Sequence, residues 1–395
     1  MPGSEPDLIS VGVLGAGAMG SGIAQVAATA GHAVVLQDVD DAAIAKARTS
    51  IEKSLARDAE KGRLTPSAAE AAWRRIQFRA SADLGALAPC GLVVEAIVER
   101  LVTKRECFAA LEQVVGPETL LASNTSALSI TAIAAACRRP QRVLGLHFFN
   151  PAPVMPLVEI VRGHATSSHV VDAGCGLMNR WGKTAVIAAD TPGFIVNRIA
   201  RPFYGEALRM LDEGIADCAT IDWAMRTFGG FRMGPFELMD LIGNDVNFAV
   251  TMAVYEGFFF DPRYKPSLTQ RRLVDANLLG RKTGQGYYDY RNGAVRPAPK
   301  ENEILGRSIL DRILAMLINE AVDAVFWRVA TPSDIDLAMV KGVNYPKGLI
   351  AWAEELGYDA ALDRLEALQA EYGEDRYRPS PLLRRLARSG GTLRT

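Results

Sequence analysis

The chain of 395 residues holds only five cysteines, Cys90, Cys107, Cys137, Cys175 and Cys218, and no two of them stand at metal-ligand spacing. An odd number of scattered thiols argues against a disulfide framework or a zinc site. They read instead as small buried hydrophobes of a reducing compartment. No uninterrupted apolar run reaches the ~18 residues of a membrane span. The opening Met1-Pro2-Gly3-Ser4-Glu5-Pro6-Asp7 lacks the basic region and apolar core of a secretion signal. Nor is one sign of charge in excess: 44 basic and 45 acidic side chains leave a formal net charge of -1. That balance argues against a dedicated nucleic-acid binder, which carries a basic face or stripe. It still allows local positive patches that hold phosphates. The expectation is a cytoplasmic protein with no membrane or nucleic-acid partner and no metal. Its length corresponds to about two to three domains, long enough to bury sizeable cores.

What is present begins with an apolar run from Ile9 to Leu14. A glycine cluster follows, then a helical pattern from Ala18 to Ala30 and a second apolar run, Ala33 to Gln37, ending at Asp38. This is β-turn-α-β spacing. Asp40 to Leu55 reads as an amphipathic helix, and Leu92–Ala96, Leu120–Ser123, Val143–Phe149 and Val158–Val161 read as later strands. The alternation predicts an α/β fold of Rossmann type, with a doubly wound, mostly parallel sheet. Beyond Asp190-Thr191-Pro192-Gly193 strand signals almost vanish. A stretch rich in Gly, Pro, Tyr and Arg, from Lys282 to Pro299, then reads as a linker. The expected domains are therefore a nucleotide-binding domain over 1-190 and all-α C-terminal domains over 191-295 and 300-395.

The two helical segments are related by duplication. Asn197 to Gly243 aligns without gaps onto Asp311 to Gly357 at a constant offset of 114 residues. Arg198 matches Arg312, Glu206-Ala207 matches Glu320-Ala321, Ile221-Asp222 matches Ile335-Asp336, and Gly234 matches Gly348. A register that keeps polar pairs as well as apolar ones indicates tandem duplication rather than shared helical composition.

Gly15-Ala16-Gly17-Ala18-Met19-Gly20 is a G-x-G-x-x-G between a strand and a helix. Gly15 permits the tight turn, Gly17 lets a pyrophosphate approach the backbone, and Gly20 lets helix and strand pack closely. The helix N-terminus then offers N–H groups to the phosphates. Asp38, 18 residues after Gly20, is placed to accept hydrogen bonds from the adenosine ribose and to repel a 2′-phosphate. No Arg follows it, so the cofactor is read as NAD rather than NADP. Gly15, Gly17, Met19, Gly20 and Asp38 are the candidate contacts.

His147 sits in an apolar run, Val143-Leu144-Gly145-Leu146-His147-Phe148-Phe149-Asn150, and Glu159 in another, Leu157-Val158-Glu159-Ile160-Val161. The proline-rich Asn150–Pro156 segment between them is a candidate reversal that lays the two strands side by side. A buried carboxylate needs a partner, and histidine supplies one. Such a pair holds one imidazole tautomer and stabilises the charged ring, as a general base requires.

With these motifs in place, the sequence resembles the 3-hydroxyacyl-CoA dehydrogenase family over Ile9 to Tyr290. The resemblance rests on the glycine loop, Val93-Val94-Glu95-Ala96-Ile97-Val98-Glu99, Ser123-Asn124-Thr125-Ser126, His147-Phe148-Phe149-Asn150-Pro151 with Glu159, Asp190-Thr191-Pro192-Gly193-Phe194-Ile195-Val196-Asn197-Arg198 and Met233-Gly234-Pro235. From about Ile309 the chain resembles the second C-terminal repeat of longer members. The resemblance implies that His147 is the general base and that Glu159 orients it. It implies that Ser126 and Asn197 bind the reacting oxygen and that Glu99 and Lys104 line the cofactor site. It also places Ser54 and Lys61 near the CoA moiety. For Lys61 the competing reading is a solvated helix charge. The implied reaction is NAD-dependent, reversible oxidation of (3S)-3-hydroxyacyl-CoA to 3-oxoacyl-CoA, in β-oxidation or a related acyl-CoA degradation.

The second repeat has Asp311 where the first has Asn197 and lacks the Thr-Pro-Gly-Phe lead-in, so a second active site is not expected. The expected assembly is a homodimer, or a monomer whose helical copies pair as an intramolecular pseudo-dimer. Six arginines in Arg376–Thr395 leave two readings, a CoA-phosphate or partner contact and a solvated surface helix. Two other classes of function remain open. One is a dehydrogenase of the same superfamily acting on a hydroxy acid or sugar acid without CoA. The other is a nonenzymatic NAD-binding protein. Neither acyl chain length nor a second carboxylate on the acyl end is legible.

Overall fold

The computed structural model describes residues 9–393. The opening segment read for a secretion signal, and Arg394 of the arginine-rich tail, lie outside them. The chain divides after Asp190 into two compact units.

The first unit is built on eight strands: β1 (Val11–Leu14), β2 (Val34–Asp38), β3 (Ile76–Ala80), β4 (Leu92–Glu95), β5 (Leu120–Ser123), β6 (Val143–Phe148), β7 (Leu157–Arg162) and β8 (Thr184–Ala189). They form one sheet in the order β3-β2-β1-β4-β5-β6-β7-β8. Neighbours are parallel except β6 and β7, which are antiparallel. β1, β4 and β6 are buried throughout. Strands covered on both faces need continuous apolar runs, which is why these were legible. The two edge strands were not singled out by the sequence pattern. β3, Ile-Gln-Phe-Arg-Ala, is mostly exposed and polar at alternate positions. Helices α1 (Ala18–Thr29), α2 (Asp41–Glu60), α3 (Pro66–Arg74), α4 (Leu101–Val114), α5 (Ile130–Ala134) and α6 (Ser168–Arg180) complete the unit. Strand order reverses between β1 and β4, which opens a crevice at their carboxyl ends.

The second unit is helical: α7 (Val196–Ile199), α8 (Arg201–Asp212), α9 (Cys218–Thr227), α10 (Pro235–Ile242), α11 (Asn244–Gly257), α12 (Leu268–Asp275), α13 (Glu303–Phe326), α14 (Pro332–Val343), α15 (Leu349–Leu356), α16 (Tyr358–Tyr372) and α17 (Pro381–Ser389). At the 114-residue offset, α10 coincides with α15, and α9 and α11 start level with α14 and α16. The shared residues have a structural reason. Asp222 accepts from the N–H groups of Phe236 and Glu237 at 2.9 and 3.0 Å, and Asp336 from those of Ile350 and Ala351 at 2.7 and 3.0 Å. Each aspartate thus caps the helix that follows. A Cβ on Gly234 would lie 2.3 Å from Asp222, and one on Gly348 2.2 Å from Asp336, so both glycines are fixed by the cap.

The repeat extends beyond the sequence alignment, with a one-residue slip. Arg263-Tyr264 and Arg376-Tyr377 stand 113 residues apart, each in a short helical turn. Tyr264 donates to Glu320 at 2.5 Å and Tyr377 to Glu206 at 3.0 Å. Arg376 is buried and pairs with Glu206 at 3.3 Å, and Arg378 pairs with Asp261. The solvated reading therefore fails for Arg376. Arg376 is enclosed by the repeat, whereas Arg378 stays exposed at the surface. The stretch read as a linker is also partly anchored. The N–H groups of Tyr287 and Tyr288 donate to Asp240, and the Tyr288 hydroxyl donates to Asp222 at 2.7 Å.

No described helix is long and apolar enough to cross a membrane. Among the described residues no cluster of acids, histidines and cysteines forms a metal site, and no disulfide joins any of the five cysteines.

Candidate active site

The glycine loop joins β1 to α1 beside the crevice. Gly15 has φ +103, and a Cβ there would meet the Ala96 carbonyl at 2.5 Å. A Cβ on Gly20 would meet the Gly15 carbonyl at 1.8 Å. Both are glycine because the protein's own backbone fills the space. Gly17 differs, since a Cβ there would touch nothing within 4 Å. Protein packing does not require that glycine, whereas close approach of a pyrophosphate does. The cleft beside it, ≈ 650 Å³, is lined by Gly15, Gly17, Asp38, Ala96, Ile97 and Thr103, among others. Asp38 ends β2 and accepts from the Ala16 N–H at 2.7 Å, which fixes its carboxylate at the loop. Met19 lies half-buried in the first turn of α1. These residues fit NAD.

Antiparallel pairing of β6 with β7 places His147 directly opposite Glu159. His147 Nδ1 lies 2.6 Å from Glu159 Oε2, and Glu159 is fully buried. With Nδ1–H donated to the carboxylate, the neutral ring carries its acceptor lone pair on Nε2. The reversal between the strands is held by Lys183. Its ammonium donates to the carbonyls of Ala152 and Met155 at 2.6 and 2.8 Å. Burial without an acid partner pushes Lys183 down to about 8.

Ser126 follows β5. Its N–H donates to Glu99 Oε1 at 2.9 Å, and the Thr125 hydroxyl donates to the same oxygen at 2.5 Å. Lys104, only 1% exposed, bridges two carboxylates, with Glu95 at 2.6 Å and Glu99 at 3.2 Å. Burial alone would raise the Glu99 carboxyl, but Lys104 and the bonds from Thr125 and Ser126 outweigh it and hold Glu99 below its ordinary range. Glu95 also accepts from Ser123 Oγ and the Ile97 N–H. From the end of β8, Asp190 accepts from Ser129 Oγ and the N–H groups of Ile130 and Thr131, tying down the segment after Ser126. Asn197 lies in the second unit on α7, half-buried, and its carbonyl accepts from Arg201 Nε at 2.7 Å.

The NAD-binding-domain model of the 3-hydroxyacyl-CoA dehydrogenases matches residues 10–191, and the C-terminal-domain model matches 193–290 and again 309–394. The chain belongs to the 3-hydroxyacyl-CoA dehydrogenase family. It is an NAD-dependent oxidoreductase. The 3-hydroxyadipyl-CoA dehydrogenase of Escherichia coli (strain K12) is 41% identical over 463 aligned residues, covering 96% of this chain and 97% of that protein. That aligned length exceeds the length of this chain, so the relative carries segments with no counterpart here. The 3-hydroxybutyryl-CoA dehydrogenase of Bradyrhizobium diazoefficiens is 43% identical, covering 73% of this chain and 97% of that protein. A solved 3-hydroxybutyryl-CoA dehydrogenase from Escherichia coli K12 superposes with TM-score 0.91 at 40% identity, covering 96% and 98% of the two chains.

In this dehydrogenase the structure pairs His147 with Glu159, and joins Ser126, Glu99 and Lys104 into one network. Ser54 and Lys61 lie apart from both groups, on and just after α2; Ser54 is half-buried and Lys61 exposed. Sequence reasoning missed Glu95 as the acid beneath Lys104, Asp190 as the clasp on the loop, and Asn124, whose amide oxygen accepts from the Phe148 N–H at 2.9 Å. The acid at the end of the apolar run Leu92–Glu95 was the available signal for Glu95, of the same kind that drew attention to Glu159.

Proposed function

We propose that the chain oxidises (3S)-3-hydroxyacyl-CoA to 3-oxoacyl-CoA, reversibly, with His147 as general base. NAD, when bound, accepts the hydride from C3. His147 Nε2 takes the proton of the 3-hydroxyl, and Glu159, accepting from Nδ1–H, holds the tautomer and stabilises the imidazolium that forms. Ser126 and Asn197 donate to the reacting oxygen and orient C3. Glu99, fixed by Lys104, aligns Ser126 through its backbone N–H. Gly15, Gly17, Met19, Gly20 and Asp38 hold the cofactor. The reading extends to acyl-CoA degradation in the cytoplasm, with Ser54 and Lys61 near the CoA moiety. It also extends to two helical copies, 191-295 and 300-395, that pair within one chain.

The observation that carries the reading is the 2.6 Å contact between His147 and a fully buried Glu159. A neutral histidine needs no such acid, whereas one that becomes charged during turnover does. The test is steady-state oxidation of NADH by acetoacetyl-CoA set beside free 3-oxo acids, and, in the reverse direction, oxidation of 3-hydroxybutyryl-CoA set beside a free hydroxy acid and a sugar acid, with NAD and NADP compared. Turnover confined to CoA esters with NAD is expected. Turnover only with free acids, or none with any of them, overturns the reading.

A further inference from the structure

We propose that Phe149 is a positioning residue for the general base: its ring keeps the His147 imidazole in orientation and stabilises it once protonated. The inference rests on the proposed function and deepens the chemistry of that same site. His147-Phe148-Phe149 carries two adjacent phenylalanines in different surroundings. Phe148 is 2% exposed and belongs to the sheet core with Leu144, Leu146 and Trp181. Phe149 directly follows β6 and stands two residues from His147, where extended backbone returns a side chain to the same face. Its ring centroid lies 4.5 Å from that of the imidazole, with 50° between the ring planes.

The core does not demand this second ring. Phe149 is half-buried, and among the described residues the core cluster includes Phe148 and not Phe149. The backbone on either side is fixed by other groups. The Phe148 N–H donates to the Asn124 amide oxygen at 2.9 Å, and Lys183 holds the carbonyls of Ala152 and Met155. What sets the Phe149 side chain apart is its contact with the imidazole.

That contact has two effects. The 2.6 Å bond between Nδ1 and Glu159 fixes one ring atom, and the imidazole can still rock about it. The direction of the Nε2 lone pair follows the rocking. A ring packed alongside limits it, and proton transfer needs an orientation kept within about 10–20°. The second effect is electrostatic. The face of a phenyl ring is negative and attracts a cation within about 6 Å. It favours the imidazolium over the neutral ring, in addition to the charge of Glu159, and has no proton of its own to exchange. Glu159 is the charged group that β7 sets opposite His147. On the other flank β5 ends in the neutral Ser123, and the Glu95, Lys104 and Glu99 charges lie beyond it, with Ser123 donating to Glu95. A substitution at Phe149 alters none of these charges.

The experiment titrates the histidines of the full chain by NMR. There are four, and the His147 signal is the one lost in His147→Gln. Phe149→Leu keeps apolar bulk and removes the ring face. It is expected to lower the imidazole titration point by about half a pH unit, the shift that matches a partly exposed cation–π contact. Phe149→Tyr is expected to restore most of it. In kinetics Phe149→Leu is expected to move the limb governed by His147 down by the same amount in both directions. Oxidation of 3-hydroxybutyryl-CoA needs the neutral ring, and reduction of acetoacetyl-CoA needs the charged one. A ring with a purely structural role lowers kcat at every pH and leaves both limbs in place, and that result overturns the proposal. An unmoved titration overturns it too. If Phe149→Leu fails to fold, Phe149→Trp decides: its more negative face is expected to raise the titration point, and a fall or no change overturns the role. Near-normal turnover by His147→Gln overturns the proposed function itself, a result distinct from an unmoved titration.

Discussion

Arg198 donates to Glu320 at 2.5 Å, and between their counterparts, 114 residues on for the arginine and 114 back for the glutamate, the relation returns inverted, with Arg312 donating to Glu206 at 2.9 Å. This is the self-complementary pattern of a two-fold interface, in which residue i meets j and j meets i. Here it is written within one polypeptide. Each glutamate also receives the tyrosine of a matching Arg-Tyr turn. Removing one member leaves buried acids short of a counter-charge. Arg198→Met is expected to destabilise the second unit by about 3 kcal/mol, read from urea unfolding. A loss below about 1 kcal/mol would show that the pair contributes little.

Gly17 and Gly20 predict opposite phenotypes for the same substitution. Gly17→Ala meets no protein atom, so the fold is retained while NADH affinity falls by at least about tenfold, a loss of about 1.4 kcal/mol. Gly20→Ala drives a methyl into the Gly15 carbonyl, so stability falls as well. Thermal melting with NADH fluorescence titration separates the two. A Gly17→Ala protein that binds NADH normally contradicts the cradle.

His147→Gln is expected to reduce kcat by about 10²- to 10⁴-fold and leave NADH binding in place. Glu159→Gln removes the charge proposed to stabilise the imidazolium, and the same kcat assay is expected to show a loss of at least about 10²-fold. Near-normal turnover by purified His147→Gln would remove the general-base assignment.

Lys183 gives stability a pH dependence whose sign is fixed by its depressed value of about 8 against an ordinary 10.5. Between these values the unfolded chain binds the extra proton, so its contribution rises with pH across that window and is lost as pH falls through about 8. Urea midpoints of wild type and Lys183→Met, measured from pH 7.5 to 10, are expected to diverge in favour of wild type as pH rises. The span is no more than about 3 kcal/mol. Parallel curves would place the Lys183 value near its ordinary one.

How much was legible depended on whether a residue broke the pattern around it. His147 and Glu159 are polar exceptions inside apolar strands, and the prolines between them announced the reversal. The buried strands read as continuous apolar runs, while β3 at the sheet edge is mostly exposed and too polar to stand out as a strand. Lys104 reads as cofactor-lining from the resemblance, but only the fold shows it enclosed by Glu95 and Glu99. The Arg-Tyr turns escaped because the repeat slips from 114 to 113 residues between Gly357 and Arg376. A fixed-offset comparison therefore ends before reaching them.

The inverted Arg–Glu pairs carry a consequence for how the halves find each other. Were they on separate chains, their association would follow mass action and weaken on dilution. Joined through the connection between α12 and α13, they face each other at an effective concentration on the order of millimolar, whatever the amount of protein present. The halves cannot be titrated apart, and a substitution in one is always met by the same single copy of the other.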